Sequence, residues 1–146
     1  MGYTTIVCGV TGSLHAQKAA LEAAVLASKS QAALVYVYAV DVSFLRRGGG
    51  AITSGAVADS LDNLGAQILD IAEEIAKTQG VVPKKVLRKG PVLDILKQVV
   101  QEEKADLLIL GHEDRTFFEK ALFKGNVEDH LEELKKQTGA EVTVIR

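Results

Sequence analysis

Cysteine is all but missing from this chain: Cys8 is the only one among 146 residues, which excludes a disulfide scaffold. An excess of one charge is missing too. Lys and Arg number 17 against 19 Asp and Glu, for a net charge of −2. No broad basic field exists on that balance, and unspecific nucleic-acid binding is excluded. Long hydrophobic runs are absent, since none reaches the roughly 20 residues that cross a bilayer. Met1 to Val10 has no basic start and the chain turns polar soon after it, so no secretory leader is expected. A cytoplasmic, reducing location without membrane contact follows as the expectation. Internal repeats, low-complexity tracts and linkers are lacking as well. So are three catalytic signatures: Gly-Lys-Ser/Thr after a glycine loop, the Gly-x-Ser-x-Gly elbow, and Cys-x-x-Cys.

What the chain does have is an ordinary globular mixture, 47% hydrophobic and 25% charged. A chain of this length buries roughly 70% of its unfolded surface, enough for one domain over residues 1–146 without staples. Thr4 to Val10 is a short β-branched run that predicts a buried strand, with Cys8 as a small hydrophobe inside it. Thr11-Gly12-Ser13 breaks the run and caps a helix over Leu14 to Ser30. Leu14, Leu21 and Val25 fall on one face of that helix, and its many alanines suit close approach to a sheet. Ala33 to Val42 is apolar almost throughout, the pattern of a parallel strand covered on both faces.

Arg46-Arg47-Gly48-Gly49-Gly50 predicts a loop. From about Val57 to Thr78, Leu61, Leu64, Ile68, Ile71 and Ile75 recur in steps of three and four, and Gly80 stops the helix they predict. Val81 to Arg88, with Pro83 and three basic residues, reads as an edge strand. Pro91 opens a helix carrying Val92, Ile95, Leu96, Val99 and Val100 on one side. Leu107 to Leu110 is a fourth strand ending at Gly111. Gly125-Asn126 leads into a last helix with Val127, Leu131 and Leu134, Gly139 ends it, and Glu141 to Ile145 is a fifth strand. The order β-α-β-α-β-α-β-α-β means an α/β fold: an open parallel sheet with helices on both faces.

In such sheets a ligand binds at the carboxyl ends of the strands, where the strand order reverses. The loops to weigh are therefore Val10 to Ser13, Ala39 to Asp41, Lys89 to Pro91 and Gly111 to Asn126. Three of the four contain glycine, and helix starts offer N–H groups to anions. A tight turn explains any one glycine; their recurrence at the sheet top points to a crevice.

Along this path the chain resembles a single-domain universal stress protein. Ile6-Val7-Cys8-Gly9-Val10-Thr11-Gly12-Ser13 resembles the family's opening strand ending in Asp-Gly-Ser. Tyr38-Ala39-Val40-Asp41 is similar to the end of its second strand, and Lys89-Gly90-Pro91 to its Gly-x-Pro helix start. Ala105 to Gly111 matches the strand before the phosphate loop, and Gly125-Asn126-Val127-Glu128 is similar to the Gly-Ser-Val-x-Glu after it. The resemblance covers the whole chain. It implies a five-stranded Rossmann-like sheet of the adenine nucleotide alpha hydrolase kind, in the order 3-2-1-4-5. It also implies a homodimer paired through Glu141 to Ile145, with a protein partner as a further expectation.

Some members bind ATP through Gly-x2-Gly-x9-Gly-Ser/Thr. Here Gly111 and Gly125 keep the outer glycines, Asp114 stands for the second, the spacer is one residue longer, and Asn126 replaces the hydroxyl. Thr11 replaces the Asp that touches adenine or ribose. A carboxylate near triphosphate oxygens repels them: unit charges 4 Å apart at an effective ε of 20 interact by about 4 kcal/mol. Arg115 and Lys124 offset part of that. The resemblance thus implies a regulatory binding module without tight ATP binding and without catalysis. The alternative is an ATP-binding, slowly hydrolysing switch. Any nucleotide site would use Val10, Thr11, Ala39 and Gly90 around base and ribose, and Gly111, Asp114, Gly125 and Asn126 at the phosphate end.

Other features have plainer readings. His15, His112 and His130 are too scattered for a metal site, and His112 with Glu113 and Asp114 reads as a polar loop. Arg46 and Arg47 read as a solvated loop, and Phe117, Phe118, Leu122 and Phe123 as packing of the lengthened loop. A response-regulator receiver shares the fold class but needs acids where this chain has Val10-Thr11-Gly12 and Lys89-Gly90. A flavodoxin-like carrier is a further alternative, which a colourless protein counts against.

Overall fold

The structure is a computed structural model and describes residues 3–10, 14–40, 51–90, 92–111 and 134–145. Strand β1 (Thr5–Gly9) pairs on one side with β2 (Ala33–Val40) and on the other with β4 (Leu107–Gly111), all parallel. Strands β3 (Lys84–Lys89) and β5 (Glu141–Ile145) close the two flanks, giving the order β3-β2-β1-β4-β5. That is the topology the resemblance implies. Ile6 stands opposite Leu34 and Leu107, and Cys8 opposite Tyr36 and Ile109, so apolar residues run across the sheet in rows.

The period-2 alternation of a strand divides these rows between two cores. Ile6, Cys8, Leu34, Tyr36, Leu107 and Ile109 face one side. Val7, Val35, Val37, Val86, Leu108 and Leu110 face the other. Helices α1 (Leu14–Ser30) and α2 (Ala51–Lys77) cover the first side. Helix α3 (Val92–Glu102) and the helical residues 134–138 cover the second. Both faces of β2 and β4 are therefore buried, which is why neither strand alternates between polar and apolar residues.

Helix α1 buries its alanines. Ala19, Ala20, Ala23, Ala24 and Ala27 are the buried residues of its sheet face, while Leu21 is exposed and Val25 half-buried. Leu21 and Val25 of the expected face are thus not on the packed stripe, and the side chain of Leu14 lies outside the described ones. Small side chains let the helix axis approach the sheet closely, and that is decisive where bulky strand residues already fill the layer. The Tyr36 hydroxyl, buried beneath α1, donates to the Ala20 carbonyl at 2.8 Å and ties helix to sheet.

Helix α2 also differs from expectation, beginning at Ala51 rather than near Val57. Its buried face is Gly65, Ile68, Leu69, Ala72 and Ala76. Leu64 and Ile71, two of the five periodic residues, are 47% and 52% exposed. Gly80, at φ 74°, ends the turn after α2, and the Val81 N–H donates back to the Ala76 carbonyl at 3.1 Å. That left-handed closure is the one expected of Gly80.

Strand β3 starts at Lys84, three residues later than expected, because Pro83 has no N–H to donate to a ladder. It is an edge strand, as its basic content predicts. Alternation sends its cations to opposite helix layers. Lys85 reaches Asp70 and Glu73 of α2 at 2.8 and 3.3 Å. Lys84 pairs with Glu103 at 2.8 Å, and Arg88 makes a two-pronged contact with Glu102 of α3 at 2.6 Å.

Candidate functional site

The strand order reverses at β1: the chain moves from β1 outward to β2 and β3, then returns to β4 on β1's other side. Helix α1, after β1, packs on one face of the sheet and the helical residues 134–138, after β4, on the other, and in sheets of this order a ligand crevice is expected at the carboxyl ends of the two strands. Four of the eight candidate residues lie among the described ones. Continuing the Cys8–Ile109 register by two residues sets Val10 abreast of Gly111, on neighbouring strands at the reversal. Ala39 lies on β2, beside them, opposite Arg88 of β3. Gly90 follows Lys89 at the end of β3, two strand spacings or about 10 Å from β1. Thr11, Asp114, Gly125 and Asn126 lie outside the described residues, as do Arg46 and Arg47, His112, Glu113 and the Phe117–Phe123 cluster.

What these positions offer is mainly backbone. Val10 is only 4% exposed and packs into the core beneath α1 and α2, while its N–H donates to the Val37 carbonyl at 2.9 Å. Ala39 packs toward the opposite core, beside α3. The two side chains therefore do not line one wall. Gly9, just before Val10, is closely packed: a Cβ there would sit 2.8 Å from Leu110 Cδ2, and that buried leucine would have to shift. Gly90 adopts φ 144°, a backbone state L side chains rarely take, and a Cβ on it would approach Ile95 Cδ1 to 3.3 Å. Glycine is needed there to turn β3 into α3. No three His, Cys, Asp or Glu side chains gather to hold a metal ion among the described residues.

The best-defined polar cluster lies on the opposite rim, at the amino ends of the strands. Asp106, just before β4, accepts from the Thr4 N–H at 2.9 Å, the Thr5 N–H at 3.1 Å and the Thr4 hydroxyl at 3.3 Å. Its backbone carbonyl accepts from Glu141, and Glu141 in turn accepts from the Tyr3 hydroxyl at 2.8 Å. Partial burial opposes ionisation of Asp106, but the donors from Thr4 and Thr5 outweigh it and hold the carboxyl below its ordinary range. This clasp ties the starts of β1, β4 and β5 together. In the sequence Asp106 stands only as part of the stretch Ala105 to Gly111, although an acid one residue before an apolar strand is a usable signal. Arg88 and Glu102 likewise shift each other, the guanidinium upward and the carboxyl downward, through their shared hydrogen bonds.

With the reversal at β1 established, comparison with known proteins decides the family. The sequence profile described as "Universal stress protein family" matches residues 2–146. The chain belongs to the universal stress protein family. Solved universal stress proteins share its fold. One from Lactobacillus plantarum is 22% identical, covers 100% of this chain and 99% of its own, and superposes with a TM-score of 0.80. A universal stress protein in complex with cAMP is 24% identical over 100% and 98% of the two chains, with a TM-score of 0.68. The universal stress protein of Archaeoglobus fulgidus in complex with dAMP is 19% identical over 100% of both, with a TM-score of 0.66. No curated protein sequence matches the chain. Among the described residues of this universal stress protein, no helix is long and apolar enough to cross a membrane.

Proposed function

We propose that this universal stress protein is a non-catalytic, dimeric binding module of the cytoplasmic stress response. Its ligand is an adenine nucleotide with one phosphate rather than ATP. The observation that supports the reading is the parallel order β3-β2-β1-β4-β5, in which β1, followed by Val10, and β4, ending in Gly111, are neighbours at the reversal. Base and ribose would lie against Val10, Thr11, Ala39 and Gly90. The phosphate would meet Gly111, Gly125, Asn126 and the N–H groups of the last helix. Two solved relatives hold cAMP and dAMP, ligands with a single phosphate each. Asp114, in place of a glycine, disfavours the added charge of a triphosphate.

Dimerisation through β5 is supported by its edge position and its sequence. Val142, Thr143 and Ile145 are half-buried, whereas Leu108, Ile109 and Leu110 of β4 are buried on both faces. A second strand beside β5 would cover them and satisfy the open backbone edge.

Calorimetric titration with AMP, cAMP and ATP–Mg²⁺ tests the ligand. Saturable binding of a monophosphate at least tenfold tighter than ATP is expected; low-micromolar ATP binding overturns the reading. The second reading, an ATP-dependent switch with slow hydrolysis, draws on the retained Gly111 and Gly125. Mass spectrometry of natively purified protein separates the two, since co-purified ATP or ADP favours the switch.

A further inference from the structure

Among the described residues β3 and β5 are the two edge strands of the sheet, and their sequences treat a second copy of this chain differently. A two-fold axis perpendicular to the sheet joins edges antiparallel and keeps each helix layer level with its own kind. Residues that face each other then lie on one face, so their numbers sum to an even value. On β3, a pair centred on residue 85 sets Lys85 against Lys85. Centred on 86, it sets Lys84 against Arg88 twice. Centred on 87, it sets Lys85 against Lys89 twice, and centred on 88, Arg88 against Arg88. Every symmetric register through the strand's middle places cation opposite cation, and like charges so placed repel.

The helices sharpen the effect. Lys84, Lys85 and Arg88 are tethered over their own helix layers to Glu103, to Asp70 and Glu73, and to Glu102, at 2.6 to 3.3 Å. An incoming strand would strip water from these pairs without offering them new partners. On β5 the same arithmetic gives the reverse result. A pair centred on 143 sets Thr143 against Thr143, Val142 against Val144 and Glu141 against Ile145. No like charges meet.

We propose that the basic residues of β3 bar a second copy from that edge, so that edge-to-edge assembly proceeds through β5 alone and stops at two chains. The proposal rests on the β5 pairing put forward above. Its test has one arm for each edge, read by sedimentation velocity over a range of protein concentrations. In the first arm, Lys84, Lys85, Arg88 and Lys89 become Thr, with Asp70→Asn, Glu73→Gln, Glu102→Gln and Glu103→Gln. Four cations and four acids are removed, so the net charge stays at −2. The expected result is a mass at least twice that of the wild type and rising with concentration. An unchanged mass with a native far-UV spectrum overturns the proposal. If that variant misfolds, K85T/K89T/D70N/E73Q, which clears the registers centred on 85 and 87 alone, is read in the same way.

In the second arm, V142K/V144K sets Lys against Lys, or Lys against Arg146, in the registers centred on 142, 143 and 144. Monomers are expected. A wild-type mass in this arm overturns the β5 pairing and with it the limit to two chains, while the first arm still reads the barrier at β3 separately.

Discussion

Replacing Gly65 by alanine sets helix propensity against packing. Gly65 lies in the middle of α2 and is buried against the sheet. Propensity alone favours alanine by about 0.8–1.0 kcal/mol. The added methyl, however, would lie 2.7 Å from Leu87 Cδ1 and 2.7 Å from Tyr38 Cδ1, with Tyr38 Cε1 at 3.0 Å. Comfortable carbon contacts are about 3.5–4.0 Å, so something must move by most of an ångström. Leu87 is 38% exposed and can swing aside. The Tyr38 ring packs against the core in the layer between β2 and α2 and has less room to move, so α2 has to lift. Overpacking of this kind costs roughly 1–3 kcal/mol. The balance is a net loss of about 1 kcal/mol, a fall in Tm of about 2–4 °C for a chain of this size. Urea and thermal unfolding measure it, with Ala66→Gly on the exposed face of the same helix reporting propensity alone. Stabilisation of Gly65→Ala by the full propensity difference would refute the close approach of α2 to β2 and β3.

Three further outcomes follow from the same geometry. Ile68→Ala, in the core, should cost about 2–5 kcal/mol, whereas Ile71→Ala on the outer face should stay within about 0.5 kcal/mol in urea unfolding. Asp106→Asn should destabilise at neutral pH by on the order of 1 kcal/mol, a figure reduced by solvent screening. The native pKa of Asp106 is depressed, so its contribution is complete above the unfolded value near 3.9 and is lost as pH falls through the native one. The gap between wild type and Asp106→Asn should therefore narrow as pH drops below about 4, and a constant gap would contradict the carboxylate clasp. Asp114→Gly should tighten ATP–Mg²⁺ binding at least tenfold in calorimetry while leaving AMP within about threefold. Equal changes for both ligands would remove charge repulsion as the reason for the preference.

Much of the fold is legible in the residues because the signals are local. The unbroken apolar runs of β2 and β4 report strands covered on both faces, and both prove to be interior strands. The lysines and Pro83 report an edge, and β3 lies at one. The helix faces were harder to read. Leu21, Leu64 and Ile71 belong to the periodic apolar patterns, yet they are exposed, while the alanines of α1 and, in α2, Gly65, Ala72 and Ala76 beside Ile68 and Leu69 take the buried positions. Hydrophobicity ranks a leucine above an alanine, but the spacing between helix and sheet is set by volume. The candidate site shows the same division. Its loops follow from element order, but Val10 and Ala39 pack into opposite cores, which no spacing along the chain indicates.

The residues by themselves settle the alternation of strands and helices, the parallel class of the sheet and the basic character of β3, because each depends on neighbours within a turn or a few strand positions. The tertiary structure alone decides which stripe of α1 and α2 is buried, that Asp106 joins three strand starts, and that Val10 and Ala39 pack into opposite cores. Those outcomes depend on chains meeting from distant parts of the sequence, where packing volume and hydrogen-bond geometry, rather than local preference, select among faces that are all apolar enough to be buried.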